Sequence, residues 1–200
     1  ASAQRQPAMA GQRWLKDPFH LHPGAGQVPE PLCLPELPEG WILAPFQDLI
    51  ENMQYGTSKR SDKNLKDGVP VLRMGNIRDG KTDGRRSSLK LIDPATEDIP
   101  RFTLRRGDIL FNRTNSPELV GKAAVFDLDG TMIFASYLVR ITCDERLILP
   151  EYLCAWINSP WGRRWARTVR TDCVSQSNIN PTKLRTMPGP LPPLHEQPVI

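Results

Sequence analysis

The strongest constraint on the fold lies between Leu104 and Phe126, where two short apolar runs, Asp108-Ile109-Leu110-Phe111 and Lys122-Ala123-Ala124-Val125-Phe126, flank a polar loop. Gly107 and Gly121 bound these runs, which is the pattern of paired core strands. The loop carries Asn112, Arg113, Thr114, Asn115, Ser116 and Glu118. A chain that only had to reverse would use a tight Asn-Gly or Asp-Gly turn. This one holds a guanidinium fork, amides and hydroxyls on a base that the strands make rigid. Such groups read base edges and hold phosphates, although an ordinary solvated hairpin loop would show the same composition.

A chain of 200 residues, 39% apolar and 24% charged, can bury a sizeable core in one domain. The excess of Lys and Arg over Asp and Glu, 26 against 22, does not by itself demand a polyanionic partner. Its distribution is more telling. Between Thr57 and Lys90 ten basic residues (Lys59, Arg60, Lys63, Lys66, Arg73, Arg78, Lys81, Arg85, Arg86, Lys90) face four acidic ones (Asp62, Asp67, Asp79, Asp83). That excess can neutralise several phosphates or form a solvated face. Cys33, Cys143, Cys154 and Cys173 are scattered without a Cys-x-x-Cys pair, so no zinc or redox site is indicated. His20, His22 and His195 are too dispersed for a metal cluster. Without a signal peptide or a run long enough to cross a bilayer, a reducing cytoplasm is expected.

Residues 1–36 are rich in Pro and Gly without a sustained period and are expected to be a leader or linker. Leu37-Pro38-Glu39-Gly40-Trp41 reads as a turn into the domain, and Phe46, Leu49, Ile50 and Met53 have the spacing of a helix. In Tyr55-Gly56-Thr57-Ser58-Lys59-Arg60, a flat ring, a glycine, two hydroxyls and two cations suit a sugar-phosphate backbone; a polar loop closing a helix is the alternative. Short strands are expected over Gly68–Ile77, Leu89–Ile92 and Met132–Ile141. From Pro150 the period becomes helical, Asn158-Ser159-Pro160 interrupts it, and Trp161–Arg170 forms a second helix. Arg163, Arg164, Arg167 and Arg170 are placed on its wet side, with a phosphate-facing strip as the other reading. Ser175–Asn180 offers Gln176 and Asn178, whose amides suit adenine. Met187–Leu194 is extended, and Glu196-Gln197 opens a further element.

In this order the pieces resemble the target recognition domain of the specificity subunit of type I restriction-modification enzymes. They are Leu37–Trp41, Tyr55–Ser58, Val71–Ile77, Gly107–Ser116, Val120–Lys122, Gln176–Asn180 and Leu191–Gln197. The resemblance covers residues 37–197, leaving 1–36 as leader and 198–200 as the start of a long helix. It implies an α+β fold with a double β-helix-like sheet core followed by a helical C-terminal part. It also implies binding to one half of a split double-stranded DNA target. Base readout would fall to Asn112, Arg113, Thr114, Asn115, Ser116, Gln176 and Asn178. Backbone contacts would fall to Tyr55, Thr57, Ser58, Lys59, Arg60, Arg73 and Lys122. Methyltransferase and restriction subunits would be partners, with a second copy or second recognition domain reading the other half-site. S-adenosylmethionine, ATP and magnesium would sit on those partners and none on this chain.

Catalytic motifs are missing from the sequence: it has no Asn/Asp-Pro-Pro-aromatic tetrad, Gly-rich cofactor loop or phosphate-cradling Gly-Lys-Ser/Thr. Asp93, Glu97 and Asp98 read as a solvated loop. Two rival classes remain, a metal-dependent nuclease using Asp108 and Glu118 and a protein-interaction module with a basic face.

Overall fold

Ile109-Leu110-Phe111-Asn112 is buried at every residue, as a strand covered on both faces requires. In the computed structural model, which describes residues 37–174 and 176–199, this run is strand β7, with strands numbered along the chain. The leader 1–36 with Cys33, His20 and His22 lies outside the described residues, as do Ser175 and Ile200.

Strand β7 sits inside a six-stranded sheet. On one side are β11 (Leu138–Cys143) and then β2 (Ile50–Tyr55); on the other are β9 (Ala123–Val125), β5 (Gly80–Thr82) and β4 (Ile77–Arg78). Only β5 and β9 run parallel; the other pairs are antiparallel. The two expected apolar runs therefore do pair, Ile109 against Val125 and Phe111 against Ala123.

Because side chains alternate along a strand, the sheet splits the core in two. Ile109, Phe111, Ala123, Val139 and Ile141 join one apolar cluster, while Leu110, Ala124 and Leu138 join the other. The first is closed by the antiparallel pair β1 (Ile42–Pro45) and β14 (Pro188–Leu191) and by helices α2 (Pro150–Asn158), α3 (Pro160–Val169) and α4 (Pro181–Arg185). The second is closed by a three-stranded sheet, β10 (Ile133–Phe134), β3 (Val69–Leu72) and β6 (Lys90–Ile92), and by the short helix α1 (Ile99–Phe102). Phe102 meets Phe134 edge to face at 6.3 Å. Each fully buried ring or leucine contributes roughly 1.5–3 kcal/mol.

The helix expected after Ile42 does not form. Pro45 ends β1, Phe46–Asp48 makes one 3-10 turn, and β2 follows. The helical spacing of Ile50 and Met53 has a physical origin in the sheet. Thr142 pairs with Asn52 but Cys143 with Ile50, so the register slips by a residue at Glu51. Such a bulge puts residues three apart on one face, and both side chains pack against the first cluster. The expected strand Met132–Ile141 is broken by a turn in which Leu138 N–H donates to the Ala135 carbonyl, leaving β10 and β11 in different sheets. Likewise Gly68–Ile77 is strand over β3 and again only at Ile77, where β4 starts; Met74–Asn76 is a 3-10 turn around buried Asn76, whose amide bonds Arg73 N–H at 3.0 Å and the Asp83 carbonyl at 3.0 Å.

Both C-terminal helices form as expected. Asn158 at the end of α2 bonds both backbone groups of Ala123, at 3.0 and 2.9 Å, and so docks the helix on β9. Buried Gln197 bonds Leu149 N–H at 2.7 Å and the Leu147 carbonyl at 2.9 Å, fastening the 3-10 turn Gln197–Val199 to the entrance of α2.

Candidate nucleic-acid interface

Strands β2 and β7 end, and β11 begins, at the same edge of the main sheet, because β11 is antiparallel to both. That edge collects Tyr55, Arg113 and Tyr137. Arg113 N–H donates to the Tyr137 carbonyl at 3.1 Å, its Nη1 donates to the Ser136 carbonyl at 3.1 Å, and its guanidinium lies 4.9 Å over the Tyr55 ring. Both tyrosines remain open, Tyr55 at 45% and Tyr137 at 41% exposure.

Beyond Arg113 the chain forms β8 (Thr114–Asn115), the edge of a small sheet completed by the hairpin β12 (Thr171–Asp172) and β13 (Ser177–Asn178). Asn178 Nδ2 donates to Thr114 Oγ1 at 2.9 Å. The hairpin's root is braced by the Ser177 hydroxyl donating to Asp172, by Arg170 Nε 2.9 Å from Asp172 Oδ1, and by Lys183 Nζ donating to Thr171 Oγ1 at 3.0 Å. Cys173, Val174 and Gln176 near its tip are exposed.

The rest of the opening loop is gripped from below by α3. Arg163 donates to the carbonyls of Val120 at 2.8 Å and Glu118 at 2.7 Å, and Arg170 donates to that of Pro117 at 2.7 Å. Burial and Arg167 push the Arg163 pKa down from its ordinary value. Gly121 has φ +83°, and a Cβ there would stand 2.8 Å from Ala166 Cβ, so loop and helix are in direct contact.

On the other flank, Gly56 passes so close to β10 that a Cβ would meet the Phe134 carbonyl oxygen at 2.3 Å. Ser58, Lys59 and Arg60 then emerge into solvent. Among the described residues neither Lys59 nor Arg60 has a carboxylate within ion-pair distance.

No protein-family model matches the chain. A protein assigned as the type I restriction enzyme MjaX specificity subunit of Methanocaldococcus jannaschii is 31% identical over 163 residues, 81% of this chain and 38% of that protein. The EcoBI specificity subunit of Escherichia coli is 26% identical over 165 residues, 80% of this chain and 33% of its own length. Among solved structures, the HsdS subunit from Thermoanaerobacter tengcongensis superposes with a TM-score of 0.55 at 20% identity, covering 90% of this chain and 37% of that one. A structure described as the basis of complex assembly and conformational transition of the type I R-M system gives a TM-score of 0.60 at 20% identity, covering 83% of this chain and 42% of that one. The chain is similar to type I restriction enzyme specificity subunits. It spans between a third and two fifths of the two curated relatives' length, and its α+β fold is that of a part of the HsdS subunit.

Within that specificity-subunit fold, the site residues read from sequence separate into three groups. Gln176, Tyr55, Ser58, Lys59 and Arg60 are exposed. Arg113, Thr114, Asn115, Ser116, Asn178, Arg73 and Lys122 are half-buried. Several of these are already engaged: Thr114 with Asn178, Asn115 Oδ1 with Ser116 N–H at 2.8 Å, and Arg113 as described, half-buried where an exposed fork was expected.

Asn112 and Thr57 are buried at 1% and 2% exposure, which overturns their assignment as surface contacts. Asn112 closes the β7 ladder through Lys122 and Gly121, and Thr57 donates its hydroxyl to Glu97 while accepting from Lys59 N–H. The nuclease pair also fails geometrically. Asp108 precedes β7 and is buried against Arg105 N–H and Thr142 Oγ1, whereas Glu118 follows the strand's other end. Four strand residues separate the ends by about 13 Å, too far to share one metal ion. Among the described residues no three of His, Cys, Asp and Glu gather to hold a metal. Tyr137 and the arginine grip on the loop had no counterpart in the sequence reading. Tyr137 sits within an apolar run, and only the turn at Ala135 turns that position outward.

Proposed function

We propose that this chain is a target recognition domain that binds one half of a split double-stranded DNA sequence, and that it directs adenine methylation and restriction carried out by methyltransferase and restriction subunits. The domain itself performs no chemistry; S-adenosylmethionine, ATP and magnesium belong to those partners, and the complex works in the cytoplasm. A second copy or a second recognition domain reads the other half-site. The observation that carries this reading is the match to a specificity-subunit fold whose sheet end joins Tyr55, Arg113 and Tyr137, with Gln176, Ser58, Lys59 and Arg60 exposed. Aromatic faces, an amide and cations without a carboxylate partner among the described residues match the division of labour between base and phosphate contacts. Among the described residues no helix is long and apolar enough to cross a membrane.

The test is binding to a randomised duplex pool, with the chain alone and with its methyltransferase subunit. One half-site supplies few contacts and gains no avidity, so the chain alone should bind feebly and steeply salt-dependently, and the complex should enrich a bipartite sequence. Enrichment of nothing by the complex would refute the reading, and displacement of duplex by an acidic protein would favour an interaction module instead.

A further inference from the structure

The loop Ser116–Gly121 is held with unusual thoroughness for a surface connection. Three consecutive-region carbonyls, those of Pro117, Glu118 and Val120, are each taken by an arginine of α3 or its C-terminal end. Ser116 adds a turn through its own carbonyl, which accepts from Leu119 and Val120 N–H. What this frame presents outward is Glu118 and Leu119, both exposed, with Leu119 at 40%. The neighbouring Ser116 hydroxyl and the Glu118 backbone N–H hold the Glu118 carboxyl pKa below its ordinary value.

A fixed negative charge is out of place for gripping a polyanion, since phosphates repel it. A carboxylate is nonetheless the acceptor that reads the cytosine N4 amino group in the major groove, and held away from phosphates it enforces register by repulsion. The loop shares its end of the sheet with Tyr55, Tyr137 and the hairpin carrying Gln176, and β8 joins it to that hairpin. Resting on the DNA-binding reading above, we infer that Glu118 is a specificity-determining residue of this interface, accepting from the exocyclic amino group of one cytosine, with α3 as its mount.

The experiment compares the wild-type complex with Glu118→Gln and Glu118→Ala on a randomised duplex pool, read as base preference at each position. Wild type should show one position strongly enriched in C·G. Glu118→Ala should relax that position by roughly 5- to 100-fold, the discrimination of one good base contact, with the other positions unchanged. Glu118→Gln keeps the shape and an acceptor but adds an amide donor, so its preference should shift toward adenine there. Three results would overturn the inference. One is an unchanged base profile in both variants. Another is a uniform rise in affinity for all sequences, which would make Glu118 a repulsive charge only. The third is loss of selectivity at every position together with a lowered melting temperature in both variants, which would make it a structural brace. A wild-type complex that enriches no sequence would instead sink the proposed function itself, so the two failures are distinguishable.

Discussion

Replacing Arg163 with Ala tests whether the loop is held by α3 or merely lies on it. The substitution removes two charged hydrogen bonds, at 2.8 Å to the Val120 carbonyl and 2.7 Å to that of Glu118. Val120 is a buried residue, and among the described residues neither carbonyl accepts from another backbone N–H. A buried carbonyl stripped of its donor costs about 1–3 kcal/mol, whereas the Glu118 carbonyl can be rehydrated and loses about 0.5–1.5 kcal/mol. Loss of the half-buried aliphatic stem adds roughly another 0.5–1 kcal/mol. The total is about 2–5.5 kcal/mol, which for a domain of this size lowers the melting temperature by roughly 4–22 °C. Arg163→Lys should recover less than half of this, because one ammonium cannot span two carbonyls in the fork's geometry. Thermal unfolding followed by circular dichroism gives the number. A loss under about 1 kcal/mol would mean that the loop is held by its own turn, and the mounting role of α3 would have to be abandoned.

Arg113→Ala should remove a ring contact and a carbonyl bond, costing about 1–2 kcal/mol of stability, and should weaken DNA binding for all sequences alike, since Arg113 joins three segments rather than facing solvent. Unfolding curves with pool binding check both; intact stability with preference lost at a single base pair would return Arg113 to base readout. Lys59→Ala and Arg60→Ala should each reduce the slope of log affinity against log salt by roughly one unit without altering sequence preference, and an unchanged slope would take these residues off the DNA. Burial pushes the thiols of Cys143 and Cys154 up to about 12, so near pH 8 they should resist alkylation while exposed Cys173 reacts. Peptide mapping after a short iodoacetamide pulse reads this, and rapid labelling of Cys143 would show that the first core cluster opens readily.

The parts legible in the sequence were those where one local signal had one physical meaning. Ile109–Phe111 and Ala123–Val125 are apolar at every position because β7 and β9 sit inside a sheet covered on both faces, and nothing else suits so short a run. Pro150 starts the first helix where it was expected, and the second, expected from Trp161, starts one residue earlier at Pro160. Misreadings came where distant partners reinterpret a local pattern. Ile50 and Met53 imitate a helix because a bulge opposite Cys143 realigns them. Thr57 and Asn112 look like free polar groups, and only Glu97, forty residues on, and the end of the β7 ladder reveal them as buried. Exposure of Lys59, Arg60 and Gln176, by contrast, followed from the absence of any apolar neighbour that could draw them inward.

The basic residues divide in a way that bears on how selectivity could arise. Arg113, Arg163 and Arg170 are half-buried and turned onto backbone carbonyls, and Arg140 donates at 2.7 Å to the Thr103 carbonyl beneath α1. Arginine suits this because its planar fork satisfies two acceptors while staying charged. Their charge is spent on shape, and under the proposed function phosphate contact would fall to exposed cations such as Lys59 and Arg60, which have no carboxylate partner among the described residues. A domain built so would have weak non-specific affinity, because that term scales with the phosphates neutralised, and would keep its discriminating side chains within a rigid frame. In such an arrangement selectivity comes from the precision of a few contacts, and the missing affinity must come from whatever holds a second recognition surface at a fixed distance.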